Sequence, residues 1–199
     1  MDYKQVFERF VPLPSVDYCH QLWEKLGFDF KIKRARQTKF GDYRHDFRTS
    51  KHTITINNDL NQYAFLVTYL HEVAHLVTFN EYKGRVSPHG IEWKNNFVKV
   101  VQPVLNERTF PTNVLLALNN YFKNPKASSC SDPILYNVLK RFDKPTGKVL
   151  LSSLKIGDHF YFNKKEFKKL ESKRTRCVCL EVGSNRKYLI SEIADVENI

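Results

Sequence analysis

The chain has 199 residues, and 32 Lys and Arg against 21 Asp and Glu give it a formal net charge of +11. Hydrophobic residues make up 42%, enough for a packed core, while 7 Gly and 8 Pro without a repeat exclude fibrous and low-complexity proteins. No apolar run reaches the roughly 20 residues that a membrane span needs. The first residues lack the basic start and apolar stretch of a signal peptide. These features predict a cytoplasmic protein that does not contact membranes.

The positive charge is concentrated in two segments of the chain. Residues 140–188 contain 14 Lys and Arg against 5 Asp and Glu, and residues 31–51 contain 8 against 2. Basic clusters attract polyanions because each neutralised phosphate releases condensed counterions. The segments therefore predict contact with DNA, and a merely solvated surface is the alternative. The residues that we select as nucleic-acid contacts are Lys33, Arg34, Arg36, Lys164, Lys165, Lys168, Lys169, Arg174 and Arg176.

The first elements along the chain are a helix and three strands. Ser15 as N-cap and Gly27 as C-terminal stop predict a helix between them. Polar and apolar residues alternate repeatedly over residues 28–57, with Gly41-Asp42 in a turn-prone position. This pattern predicts a three-stranded meander with Lys and Arg on its outer face.

Two helices are predicted after the strands. Residues 58–59, Asn-Asp, form a start signal for a helix over residues 60–79, whose apolar residues recur at helical spacing. Ser87 as N-cap and Pro88 at the first position predict a second helix that continues to about Val101.

The second half of the chain changes from helical to strand-like patterns. Helices are predicted over residues 111–123 and 133–142, followed by a linker at 144–147. Strands are predicted over 158–163, 176–182 and 186–191, and a small barrel or SH3-like unit fits this pattern. The predicted domains are a core over 1–107, a helical extension with linker over 108–147, and a small basic β domain over 148–199.

One motif on the predicted helix over 60–79 indicates metal chemistry. His71, Glu72 and His75 form the pattern H-E-x-x-H. Histidines at i and i+4 lie one above the other on a helix, so both imidazoles can reach one zinc ion. The glutamate lies beside the metal and can exchange a proton with an attacking water molecule.

A catalytic zinc site needs a third protein ligand and leaves the fourth position for water. The metzincin pattern requires glycine at position 78 and histidine at 81, but this chain has Thr78 and Glu81 there. His89 is better placed, because it lies after a loop at the start of the next predicted helix. Glu92, one turn further on, is the rival ligand.

The chain resembles the SprT-like zinc metalloproteases over about residues 10–106. The resemblance depends on the H-E-x-x-H motif, the gap after it, and the sequence His89-Gly90-x-x-Trp93. It implies an α+β, minimal zincin-like core in which a helix, a strand meander, the H-E-x-x-H helix and a third-ligand helix follow one another. It also implies that His71, His75 and His89 bind Zn²⁺ and that Glu72 is the catalytic general base.

The resemblance further implies a protein substrate, since Spartan-like members cleave proteins that are crosslinked to DNA. Many members carry a cysteine-rich, DNA-contacting zinc module after the core, whereas this chain has four cysteines and no C-x-x-C pair. Its basic β unit occupies that place. The alternatives are a non-enzymatic nucleic-acid-binding protein that zinc stabilises, and a protein-interaction factor that uses the basic C-terminal unit.

Overall fold

The computed structural model describes residues 2–36, 39–123, 125, 132–145 and 147–199. Its contacts divide the chain into two compact units, Met1–Asp143 and Lys144–Ile199. Among the described residues, no helix has the length and hydropathy that crossing a membrane requires. The α+β class predicted from the sequence is confirmed, and a three-stranded and a six-stranded sheet belong to separate units.

The first unit begins with helices and a small sheet. Its elements are α1 (Tyr3–Phe10), α2 (Val16–Leu26), β1 (Asp29–Lys33), β2 (Gly41–Asp46), β3 (Lys51–Asn57), α3 (Gln62–Tyr82), α4 (Ile91–Val101), α5 (Thr112–Phe122) and α6 (Pro133–Lys140). Helix α2 ends as predicted, because Gly27 adopts a left-handed conformation with φ of 61°.

The predicted meander is wrong in its strand order. The sheet has the order β1-β3-β2, with β1 parallel and β2 antiparallel to β3. Strand β3 is central and is the most buried of the three, with Ile54 and Ile56 fully buried. Strand β2 is therefore an edge strand of this sheet.

Helix α3 is buried around most of its surface and forms the centre of the first unit. It begins at Gln62 and not after residues 58–59, because the Asn61 side chain accepts hydrogen bonds from the backbone N–H groups of Tyr63 and Ala64. The Asn61 amide also donates to Leu139 O at 2.9 Å, which links α3 to the end of α6. The helices after residue 107 thus pack into the same hydrophobic cluster as α3.

Helix α4 begins later than predicted. Its N-cap is Gly90, and Ser87 belongs to the preceding turn, where its carbonyl oxygen accepts from the Gly90 N–H at 3.0 Å. His89 consequently lies in a turn before the helix. A turn residue can direct its side chain to α3 without following the helical spacing of α4.

The second unit is an antiparallel sheet with a small core. Its strands are β4 (Val149–Leu150), β5 (His159–Phe162), β6 (Lys165–Ser172), β7 (Arg176–Glu181), β8 (Arg186–Ser191) and β9 (Asp195–Asn198), in the order β4-β9-β5-β6-β7-β8. The sequence patterns missed β6, because three of its eight residues are lysines and interrupt the apolar alternation. Cys177 and Cys179 share the buried face of β7 with Phe160 and Phe167 nearby in the same core.

Candidate functional site

Three imidazole side chains converge beside α3. His71 and His75 lie one helical turn apart, and their Nε2 atoms are 3.2 Å from each other. His89 reaches the pair from the turn before α4, and one ring nitrogen from each histidine lies within 4.8 Å of the others. Among the described residues this is the group of metal-binding side chains that the fold assembles. Glu92 is not part of it.

The surroundings of the three histidines favour their neutral, metal-binding form. Burial, and then the neighbouring His75 and His89, hold the pKa of His71 well below its usual range. Burial lowers the pKa of His75 to about 3 and also lowers that of His89. Desolvation disfavours a charged imidazolium, so the ring nitrogens keep free lone pairs at neutral pH.

Trp93 forms the floor of the cluster, as its position one turn after His89 predicts. The indole is fully buried and packs edge-on against His71 and His89, with ring centroids 4.7 Å away in both cases. It is stacked on His75 at 5.2 Å. One rigid aromatic ring thus limits the rotation of all three imidazoles.

Glu72 lies between α3 and the edge strand β2. Its carboxylate accepts a hydrogen bond from the backbone N–H of Tyr43. Burial, and then the charge of Asp42, raise the pKa of Glu72 to about 8 despite that hydrogen bond. A divalent cation held by the histidines would oppose this shift, because an opposite charge favours the carboxylate form.

Gly41 permits the close approach of β2 to Glu72, and the sequence analysis did not identify it as a site residue. A β-carbon at this position would lie 2.6 Å from Glu72 Oε1 and 2.7 Å from Thr68 Cγ2. Two residues further along β2, the Tyr43 ring is parallel to His75, with centroids 6.3 Å apart. The only sequence signal was the Gly-Asp pair, which we interpreted as a turn.

The donor set fits a zinc ion. Two ligands about 2.0–2.1 Å from a tetrahedral zinc lie about 3.3–3.4 Å apart, close to the observed separation of the His71 and His75 nitrogens. His89 Nε2 is buried and has no hydrogen-bond partner among the described residues. A buried nitrogen without a partner is costly unless it binds a ligand. Three neutral imidazoles are the donor set typical of zinc with an open fourth position.

Comparison with known proteins agrees with this geometry. A model of the SprT-like family matches residues 14–114. The chain belongs to the SprT-like family. The matched residues include α2 through α4 with the three histidines, and the family is one of metallopeptidases that typically depend on zinc. Neither the curated proteins nor the solved structures contain a significant match.

In this SprT-like protein, the cations of the first basic segment have different structural roles. Arg36 donates to Asn57 Oδ1 at 2.7 Å and to Thr55 Oγ1 at 3.1 Å, and so fastens the chain after β1 onto β3. Its guanidinium is engaged by these side chains but also lines the outer face of the sheet, so its selection as a nucleic-acid contact stays a prediction. Lys33 and Arg34 are exposed and have no side-chain partner within the described part of the chain.

The selected cations of the second unit also divide into two groups. Lys169 is buried, and its ammonium donates to Leu151 O at 3.0 Å and to Leu154 O at 2.7 Å. Its selection as a nucleic-acid contact was wrong, because an inward-facing lysine on β6 cannot reach a phosphate. Lys165 forms an ion pair with Glu181 at 2.5 Å. Lys168 is half-buried on β6, and the remaining selected cations, which are exposed, are Lys164, Arg174 and Arg176.

Proposed function

We propose that this protein is a zinc-dependent peptidase in which His71, His75 and His89 hold the metal and Glu72 is the general base. The observation that carries the proposal is the convergence of three neutral imidazoles beside a buried carboxylate. The carboxylate is tied to the edge strand by the Tyr43 N–H, so its position relative to the histidines is set by two elements. A group held in this way loses little orientation entropy during reaction.

The residues of the chain divide the chemistry between them. When bound, zinc supplies Lewis acidity that polarises a peptide carbonyl and lowers the pKa of a water molecule. Glu72 accepts the proton of the attacking water and then delivers it to the leaving amine nitrogen. Burial raises the pKa of Glu72 and so makes its carboxylate a stronger proton acceptor, while a bound cation would oppose the rise and keep the group ionised before the first transfer.

The donor count favours catalysis over a purely structural zinc. Structural zinc sites are closed by four protein ligands, whereas the described residues bring three donors together here. A structural site also has no need of the buried acid next to the first ligand. Neither non-enzymatic alternative, a zinc-stabilised nucleic-acid-binding protein or a protein-interaction factor, explains why a glutamate is buried beside the first histidine.

We further infer that the substrates are proteins associated with or crosslinked to DNA. The support is electrostatic: the chain carries a net charge of +11 and two basic segments. A basic protein is concentrated along nucleic acid by counterion release, and proteins bound there become its nearest substrates.

Replacement Glu72→Gln tests the peptidase proposal. The variant is expected to keep about one equivalent of zinc, because the three imidazoles are untouched, and to lose about 10²–10⁴-fold in the rate of casein cleavage. The measurements are metal analysis by mass spectrometry and release of labelled peptides. Glu81→Gln is the matched control on the same helix, since a glutamine oxygen can still accept from Asn96, whose amide lies 2.8 Å from Glu81 Oε2. Undiminished cleavage by Glu72→Gln would contradict the proposal.

A further inference from the structure

The outer face of the three-stranded sheet forms an open basic groove. Its lining includes Lys31 and Lys33 from β1, Arg44 from β2, and Phe47 and Arg48 from the turn between β2 and β3. Adjacent strands lie about 4.8 Å apart, so these cations extend across about 10 Å of surface. We refer to these five residues as the sheet groove.

The acidic residues near the groove are engaged within the fold, including Asp29, whose carboxylate lies 3.7 Å from the Lys31 ammonium. Asp42 accepts from Lys39 at 2.8 Å and from Arg44 at 2.6 Å. Asp46 caps the β2–β3 turn by accepting from the Arg48 backbone N–H and the Thr49 hydroxyl, both at 2.9 Å. The side chains of Lys33 and Arg48 have no partner within the described part of the chain, so they are available to an anion.

Phe47 distinguishes this groove from a merely solvated basic surface. Its side chain is 79% exposed at the tip of the turn, directly before Arg48. An exposed phenylalanine next to a cation in a basic groove has the chemistry of a stacking platform for bases of single-stranded nucleic acid. A duplex hides the faces of its bases, and an acidic peptide has no comparable ring to stack, so neither uses Phe47 equally well.

Strand β2 contributes to the groove on one face and contacts the proposed catalytic residues of α3 on the other. Successive side chains of a strand point to opposite faces, so Asp42 and Arg44 face outward, whereas Gly41 and Tyr43 face α3 and contact Glu72 and His75. A strand in the groove would therefore lie one sheet thickness from the catalytic carboxylate.

We propose that the sheet groove of the first unit, rather than the basic C-terminal unit, is the principal site for single-stranded nucleic acid, with its phosphates on Lys31, Lys33 and Arg48 and a base on Phe47. Its purpose depends on the proposed peptidase function, because it would hold nucleic-acid-associated substrates beside Glu72. The binding itself does not depend on peptidase activity.

The test compares charge removal in the two units of the full chain. Fluorescence anisotropy with a labelled oligo-dT is measured over a salt series for the triple variant Lys31→Ala, Lys33→Ala, Arg48→Ala. The expected result is binding that is weaker by about tenfold or more, with a log–log salt slope that is smaller by about 2, since each single-strand phosphate contact contributes about 0.7. The matched control, Lys164→Ala, Arg174→Ala, Arg176→Ala, removes the same charge from the second unit and is expected to retain most of the affinity.

A second pair of variants tests the stacking platform. Phe47→Ala is expected to weaken oligo-dT binding about tenfold with an unchanged salt slope, while Phe47→Trp restores it. Tyr161→Ala, which removes a 44% exposed ring from the second unit, is the control and is expected to have no effect.

Three outcomes would overturn the proposal: equal losses in the two triple variants, equal binding of a duplex or polyglutamate at the same salt, or no effect of Phe47→Ala. Zinc content and cleavage of casein without DNA are followed in every variant. Normal zinc and cleavage together with lost oligo-dT binding would support the groove. Absence of cleavage by the unmodified protein would overturn the peptidase proposal. The oligo-dT binding measurements could still be interpreted, because they do not depend on cleavage.

Discussion

The two units of the molecule are both basic, and each contains cations engaged within the fold and cations that are exposed: Lys164, Arg174 and Arg176 are exposed in the second unit, and Lys33 and Arg48 line a groove in the first. In the second unit, Lys169 is buried against two carbonyl oxygens and Lys165 neutralises Glu181. In the first unit, Lys33 and Arg48 have no partner within the described residues, and the carboxylates near them are paired with other groups. Formal charge is therefore a poor measure of which unit can bind a polyanion. The direction of each side chain decides which cations remain available.

Among the described residues, the group of metal-binding side chains lies in the first unit, and His89→Ala gives the largest expected effect. Removal of the third imidazole should release most of the zinc and abolish cleavage, because a site with two ligands binds zinc weakly. Metal analysis after dialysis measures the loss. Two controls are expected to keep the metal: Glu92→Ala, the rival ligand, and His159→Ala, whose ring in the second unit contacts Glu166 at 2.8 Å. Loss of zinc from Glu92→Ala but not from His89→Ala would contradict the assignment.

The next largest effect on the rate of cleavage is expected from replacing a glycine, and one glycine in each unit is compared. Gly41→Ala introduces a β-carbon where Glu72 and Thr68 now lie, so the carboxylate must move. We expect cleavage to fall about 10²-fold, as for other displacements near 1 Å, with zinc retained. Gly183→Ala in the second unit meets no atom within 4 Å and should leave the rate unchanged. Normal cleavage by Gly41→Ala would show that Glu72 does not need this position.

Neighbouring lysines on β6 test whether a buried cation stabilises the second unit. Lys169→Met removes the ammonium donor from the carbonyl oxygens of Leu151 and Leu154. Among the described residues only Leu151 O keeps a backbone donor, the Leu154 N–H at 3.3 Å, and the expected cost is about 1–3 kcal/mol in the free energy of unfolding. Lys168→Met changes a half-buried side chain on the opposite face of the strand and should cost less than about 0.5 kcal/mol. Hydrogen exchange of the β6 and β7 amides in the full chain measures both. Equal protection in the two variants would mean that the buried ammonium has no stabilising role.

The smallest expected effect concerns the response of the second unit to acid. Hydrogen bonds from Lys165 and Ser184 lower the pKa of Glu181 to about 2, below its unfolded value of about 4.3. The carboxylate therefore stabilises the folded unit above pH about 4.3, and this contribution is lost as the pH falls toward 2. Glu181→Gln should reduce the change in β7 hydrogen exchange over this pH range. If the variant and the unmodified protein showed the same pH dependence of β7 hydrogen exchange, Glu181 would not be the group responsible for it.

Local patterns in the sequence were sufficient for part of the site. The H-E-x-x-H spacing is defined within one helix, where residues four apart always share a face, so His71, His75 and Glu72 needed no tertiary information. For the third donor, the sequence favoured His89 over Glu92 from its position after a loop, and the structure places His89, and not Glu92, with the other two histidines. Gly41 was not recognised, because its role exists only when β2 lies against α3.

The sequence by itself determined the α+β class, the metal-binding helix and the two basic segments, since periodicity and composition are properties of neighbouring residues. Only the tertiary structure decided the order β1-β3-β2, because a parallel pairing between β1 and β3 is made by residues more than twenty positions apart. It also decided that Lys169 is buried and that Arg36 is hydrogen-bonded to β3, while the side chains of Lys33 and Arg48 have no partner among the described residues. Burial and hydrogen bonding depend on the packing of distant segments, and the charge of a residue does not reveal them.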